Sequence, residues 1–304
     1  MREGSAPATA GPSEAEALER RITELPIWDG APLVAPLGGG LSNASFVVTD
    51  RSGRYAVRFG EDYPFHGVEG SRELTVARAA HDLGFAPEVV YDAPGMMVSR
   101  FIDGRVLRAD DVRADIKRIC ALLRRFHTEM DVPGLPDFDV FEVIGGYGVI
   151  LAPTGRVPEL ARLLGIAAAL EATMPPGIPA FAHHDLLPAN LIDDGERLWL
   201  IDFEYAGPGN AMFDLGGLSS NAGFSAAECE ALLDAYFGAA ALEQKRHHAG
   251  MACASLLREA LWSEVSALHL SAPGADYVGY ARENLRRFEL AVSDFRLRFG
   301  DLPR

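Results

Sequence analysis

Apolar residues alternate with polar ones along much of the first hundred positions, then recur every three or four residues to the end of the chain. The runs PLVAPL, ASFVVTD and YAVRFG read as three short strands, joined by the turns GGGLSN and RSGR. EGSRELTVARAAHDLG reads as a helix ending at Gly84 in a C-cap. PEVVYDAPGMMVSRFI reads as two more strands around a Pro-Gly turn. From LRADDVRADIKRICALLRRFHTEM onward the spacing is helical, with Leu122, Leu123 and Phe126 as its apolar stripe. Residues 181–207 interrupt the helices with a small β hairpin, and three or four helices follow over 210–297. The pattern predicts an α+β chain: a disordered tail over 1–13, a β-rich lobe with a leading helix over 14–98, and a hinge and helical lobe over 99–304. A cleft between two such lobes is a natural ligand site.

Ser13 and Glu16 form a capping-box pattern for the leading helix. No apolar run reaches the ~18 residues that span a bilayer, and the opening MREGSAPATAGPSEAEALERR lacks a secretory apolar core. A cytoplasmic protein without membrane insertion is expected. Cys120, Cys229 and Cys253 are far apart and form no CxxC, which fits free thiols and argues against a structural zinc site. The formal net charge of −15 disfavours nucleic acid, whose phosphates need a positive surface, and suits a cationic small molecule. The only lysines are Lys117 and Lys245, so the first lobe has none.

The stretch FAHHDLLPANLIDDGERLWLIDFEYAG holds His183, His184 and Asp185, then Asn190, then Asp202 at the end of an apolar run. Taken singly, each carboxylate reads as a strand-end cap or turn residue. The ordered set has the spacing H-x-D-x-x-x-x-N followed by D-F-x, which suits phosphoryl transfer. That chemistry needs a base for the accepting hydroxyl and hard oxygen ligands for magnesium. Asp185 suits the first task; Asn190 and Asp202 suit the second. His183 reads as a residue that holds the loop, and His184 as an exposed loop residue. The first lobe supplies complementary parts. Gly39 and Gly40 stand in a glycine turn whose backbone N–H groups can approach phosphates. Arg58 lies on the third strand, where kinases carry a phosphate-binding lysine, and Glu73 opens the next helix, where kinases carry its acidic partner.

GGGLSNASFVV, AVRFG, HHDLLPANLI and LIDFEYAGPGNAMFDLGGL together resemble the choline/ethanolamine kinase family, in its bacterial form, within the wider aminoglycoside-phosphotransferase-like kinases. The resemblance covers roughly residues 30 to 297. It implies a bilobal protein-kinase-like fold that uses ATP and Mg2+. Asp185 becomes the catalytic base, and Asn190, Asp202 and Glu204 the magnesium residues. Arg58, paired with Glu73, becomes the phosphate holder, with Gly39, Gly40, Ser42 and Asn43 in the covering loop. Backbone groups of Arg100 and Ile102 meet adenine, and Asp214 braces the catalytic loop. Eleven residues separate Asp202 from Asp214, too few for the long activation loop of a protein kinase, so a small acceptor is implied. The family encloses an ammonium with aromatic faces and carboxylates, which points to Tyr205, Asn221, Glu259 and Trp262 as the acceptor side. Animal members carry a tryptophan where Glu259 stands and a glutamate where Asn221 stands. A carboxylate in place of an indole favours a primary ammonium, which can donate hydrogen bonds to it. Three readings follow: a kinase for choline, ethanolamine or a similar cationic alcohol; the same fold with an aminoglycoside, thiamine, homoserine or sugar acceptor; or a nucleotide-binding pseudokinase. The presence of Asp185, Asn190, Asp202, Arg58 and Glu73 together weakens the third.

Overall fold

The computed structural model describes residues 14–37, 44–270 and 275–303, which fall into two compact units. The first, from residues up to Gly60 together with Val90–Phe101, begins with helix α1 (Glu14–Thr23). Its sheet contains β1 (Leu33–Pro36), β2 (Ala44–Thr49), β3 (Arg54–Phe59), β4 (Val89–Ala93) and β5 (Met96–Arg100), in the order β1-β2-β3-β5-β4. Successive strand residues point to opposite faces. Phe46, Val48, Tyr55, Val57, Phe59, Met96 and Val98 therefore share one face and pack with Ile22 and Leu18, one turn apart on α1. The Trp28 indole donates to the Ile22 carbonyl at 2.6 Å and meets the Tyr55 ring edge-on at 5.2 Å. Ala56 and Arg58 occupy the other face, half-buried, with Arg58 in register beside Ser45 and Met97. The tail over 1–13, with Ser13, and the turn residues Gly39, Gly40, Ser42 and Asn43 lie outside the described residues.

The second unit, Glu61–Val89 and Ile102–Arg304, opens with α2 (Gly70–Asp82), which groups here by its contacts and not with the sheet beside it in sequence. Gly84, at φ +78°, ends that helix as the pattern predicts. Its N–H donates to His81 and that of Phe85 to Ala80, both at 2.8 Å, the Schellman arrangement. The turn delivers Phe85, fully buried, against Phe126 with ring centres 5.4 Å apart. After β6 (Arg105–Val106) the predicted helical segment is two helices, α3 (Ala109–Ala114) and α4 (Ile116–Glu129), separated at Asp115, whose φ of −123° leaves the helical region. The stripe Leu122, Leu123 and Phe126 is buried on α4 as expected. Next come α5 (Val140–Leu151), α6 (Leu160–Ala172), β7 (Pro179–Ala182), β8 (Leu191–Asp193), β9 (Leu198–Leu200) and β10 (Gly207–Asn210). The predicted hairpin is β8–β9, extended by β6 to three strands, while β7 pairs antiparallel with β10.

Four helices close the unit: α7 (Ala211–Asn221), α8 (Ala226–Phe237), α9 (Leu242–His269) and α10 (Tyr277–Phe299). The 28 residues of α9 are buried on several sides by α5, α7 and α10. Gly216 permits its approach to α7: a Cβ there would lie 2.7 Å from the Ala252 nitrogen. Among the described residues no helix is long and apolar enough to cross a membrane.

Candidate active site

The antiparallel pairing of β7 with β10 sets Ala182 opposite Gly207 and so brings the chain that follows β7 beside the chain that leads into β10. Asp214, in the first turn of α7, fixes the loop that follows β7. Its carboxylate accepts from the backbone N–H groups of His183 at 2.8 Å and His184 at 2.7 Å, and lies 3.0 Å from His127 Nε2. Burial alone pushes the Asp214 carboxyl up, but the hydrogen bond and charge of His127, with His184 and His183, bring it down to about 2. The brace implied for Asp214 is thus present in the geometry. His183 is buried and its Nε2 meets the Ile201 carbonyl at 2.9 Å, which ties the loop to the end of β9.

His184 differs from expectation: it is buried, not exposed. It sits at φ +63°, stacks on Phe138 at 4.2 Å and meets the Tyr205 carbonyl through Nδ1 at 2.9 Å. Burial, first among the causes, pushes its imidazole down to about 4, so it is neutral near pH 7. A short polar loop residue looked exposed because its shielding comes from Phe138, Phe213 and Gly209, all distant in sequence. A Cβ on Gly209 would stand 2.3 Å from His184 Nε2, so only glycine fits there.

Asp185 follows at the mouth of this loop. The Asn190 side-chain amide donates to the Asp185 carbonyl at 2.8 Å, and the Ile201 N–H donates to the Asn190 carbonyl at 3.1 Å. These bonds lock the three motif positions 185, 190 and 201–202 to one another. With its nitrogen engaged, Asn190 keeps its amide oxygen as an acceptor. Asp202 takes φ +70°, a left-handed conformation that costs a non-glycine residue ~1 kcal/mol or more. Such strain re-aims a side chain, here at the end of β9. One carboxylate with one neutral amide oxygen is a hard, incomplete donor set that suits magnesium completed by phosphate and water. Among the described residues no group of three His, Cys, Asp or Glu side chains forms a closed metal cage. Glu204, half-buried two residues on, accepts from Arg72 Nη2 through its backbone carbonyl at 2.6 Å.

The Asp185 carboxyl is pushed up to about 8, by burial first, against the opposing charge of Arg258 and with the charges of Glu259, Asp202 and Glu204 adding to the rise. Arg258 is the site residue that the sequence reading missed. It is 2% exposed, its Nη1 lies 3.2 Å from Asp185 Oδ1 and bonds Glu259 Oε1, and its guanidinium lies 4.3 Å over the Tyr205 ring. The available signal was an adjacent Arg-Glu pair inside the apolar run ASLLREALW.

The other acceptor-side candidates do assemble around it. Tyr280 donates to Glu259 Oε2 at 2.9 Å, and the Trp262 indole donates to the Tyr205 hydroxyl at 3.1 Å. Trp262 stacks on His66 at 5.2 Å, and His66 meets Tyr147 at 3.0 Å and Ser266 at 2.9 Å. Asn221 donates to the Leu186 carbonyl at 3.3 Å and lines a small cavity with Asp185 and Glu259.

The nucleotide-side candidates divide between the units. In the first, Arg58 stands half-buried on the face of β3 opposite Tyr55, Val57 and Phe59, and Arg100 ends β5 with its guanidinium 2.9 Å from the Tyr55 hydroxyl. In the second, Glu73 is buried in the first turn of α2, and Ile102 is half-buried with its carbonyl accepting from Gly104 at 3.0 Å.

Known proteins share this fold. A choline/ethanolamine kinase family protein from Mesorhizobium loti is 25% identical, with a TM-score of 0.78 over 93% of this chain and 97% of that one. The choline kinase LicA from Streptococcus pneumoniae is 21% identical and matches in fold at a TM-score of 0.77, over 91% of this chain and all (100%) of that one. A probable ethanolamine kinase of Arabidopsis thaliana is 26% identical over 204 residues, 60% of this chain, and the chain spans only about half, 54%, of that relative. The pattern that defines the phosphotransferase enzyme family runs through residues 34–254, the sheet, the loop after β7 and most of α9's first half included, so this chain, with its kinase-like α+β fold, belongs to that family.

Proposed function

We propose that the protein transfers the γ-phosphoryl group of ATP to the hydroxyl of a small molecule, with Asp185 as the base. The observation that carries this reading is the locked set of Asp185, Asn190 and Asp202 on one braced loop and hairpin. In the step, the acceptor oxygen bonds to the γ-phosphorus, the bond from that phosphorus to the ADP oxygen breaks, and the hydroxyl proton passes to the Asp185 carboxylate. A carboxyl raised by burial holds a proton readily, and the charge of a cation bound at Asn190 and Asp202 would lower it toward the ionised form that a base requires. Asn190 and Asp202, with Glu204 near, would hold magnesium, which would neutralise charge on the phosphates. Arg58 is the phosphate-binding cation in place of lysine, its guanidinium able to bridge two oxygens and to meet Glu73. Backbone groups near Arg100 and Ile102 are the adenine contacts of this reading, and Gly39, Gly40, Ser42 and Asn43 its phosphate contacts. Solved relatives of this fold carry AMP, GDP or ADP, which supports a nucleotide donor. The three free cysteines fit a cytoplasmic setting.

The relatives' names favour an amino alcohol such as choline or ethanolamine as the acceptor, with Tyr205, Asn221, Glu259 and Trp262 around its ammonium. One observation favours a different acceptor of the same reaction: the guanidinium of Arg258 already lies between that aromatic face and those carboxylates. Incubating the protein with ATP, magnesium and a mixed pool of hydroxyl compounds, and identifying the phosphorylated product by mass spectrometry, tests the reading. Product formation that disappears in Asp202→Ala, together with its magnesium dependence, is expected. A protein that binds ATP but phosphorylates nothing in the pool contradicts it.

A further inference from the structure

An ammonium ligand needs a π face and carboxylates to offset the water it loses. In this site the chain supplies both and fills the place itself. Arg258 lies over Tyr205, touches Asp185 and bonds Glu259, while Tyr280 takes the other Glu259 oxygen. The cage around the guanidinium is held from behind. Tyr205 is bonded to Trp262, and Trp262 is stacked on a buried His66 that is hydrogen-bonded on both ring nitrogens. A second cation would enter beside a buried like charge, which opposes binding.

The same guanidinium has capacity left over. Its Nε and Nη2 are buried and have no hydrogen-bond partner among the described residues. These two N–H groups form one edge of the planar fork, the edge that matches a pair of oxygens side by side. Buried donors without partners are rare in folded proteins, and each calls for an explanation. Nη1 of this group lies 3.2 Å from Asp185, so the free edge belongs to the same residue that flanks the base.

We propose that Arg258 reads the acceptor, and that the acceptor carries no positive charge but brings paired oxygens next to its reacting hydroxyl. The carboxylate of a hydroxy acid and the vicinal oxygens of a diol or polyol share that chemistry. This inference rests on the phosphotransfer reading at Asp185 and narrows its acceptor. Arg258 acts here by binding and orienting the acceptor, while the proton goes to Asp185.

The test uses the full chain with ATP and magnesium and four acceptor arms: choline, ethanolamine, a diol series led by glycerol, and a hydroxy-acid series led by 3-hydroxypropionate. The parent is expected to favour a diol or a hydroxy acid over both amino alcohols by at least ~10-fold in kcat/KM, the scale of one good polar contact. The two oxygen-bearing arms decide which source the edge reads. Arg258→Lys keeps the charge but loses the fork, so the acceptor KM should rise ~10-fold or more while the KM for ATP stays within ~2-fold. The double variant Arg258→Gln with Glu259→Gln keeps the charge balance and should move relative preference toward ethanolamine. If these variants do not fold, the preference of the parent decides alone. A parent that prefers choline, ethanolamine or any other cation overturns the inference and leaves the phosphotransfer reading standing. Phosphorylation of no compound in any arm overturns both.

Discussion

Asp185, half-buried, and Asp214, fully buried, are two carboxylates attached to the same loop, and their surroundings act in opposite directions. Asp214 receives two backbone N–H groups and a histidine, donors that cannot leave without unfolding the loop, and its carboxyl is held at about 2. Asp185 has one guanidinium, which Glu259 shares, and its carboxyl is held at about 8, with burial as the main cause. A carboxylate that shapes the chain is surrounded by donors committed to it. A carboxylate kept for chemistry is left with a contested partner and room for a proton.

The largest expected effect is on turnover. Asp185→Asn should lower kcat by roughly 10²–10⁴, the range for loss of a positioned base, with ATP affinity nearly intact and a melting temperature no lower than the parent's. Turnover within about tenfold of the parent, measured by coupled ADP release, would remove Asp185 from the role of base. Asp214→Ala should do the reverse in stability: a loss of roughly 3 kcal/mol or more by urea unfolding, because two backbone N–H groups and His127 lose their buried acceptor. Equal stability of the two variants would erase the contrast.

A pH series sharpens it. The Asp214 carboxyl is depressed from 3.8 to about 2 on folding, so the folded state binds that proton more weakly than the unfolded state. Its contribution, roughly 2 kcal/mol, is therefore complete above about pH 4 and lost as the pH falls toward 2. The stability difference between the parent and Asp214→Asn should shrink over that window, followed by urea unfolding at each pH. The smallest effect belongs to the neighbour of the loop. Gly209→Ala pushes a Cβ into His184, 2.3 Å from Nε2, and should cost about 1–3 kcal/mol, as overpacking does. A variant as stable as the parent would mean that the loop gives way without strain.

What the chain announced about itself was local. Asp185, Asn190 and Asp202 lie within eighteen positions, 185 to 202, and the short strands between them read directly from alternating apolar residues. The C-cap at Gly84 and the α4 stripe were legible for the same reason. Arg258 was not, because its meaning depends on Asp185, 73 residues away, and on a tyrosine ring from a third segment. The burial of His184 depends on Phe138 in the same manner, and the grouping of α2 with the helical unit depends on contacts that no window of sequence contains.

Three of the proposed acceptor-side groups, Arg258, Glu259 and Trp262, fall within little more than one turn of α9, whereas the proposed base and metal residues sit, together with Tyr205, on the loop and hairpin. On the proposed reading, Tyr205 aside, most of the groups that select the acceptor are encoded far along the chain from those that carry the chemistry. Point changes in that turn are then expected to alter the acceptor while Asp185, Asn190 and Asp202 are kept, the kind of division that would let one scaffold serve many acceptors.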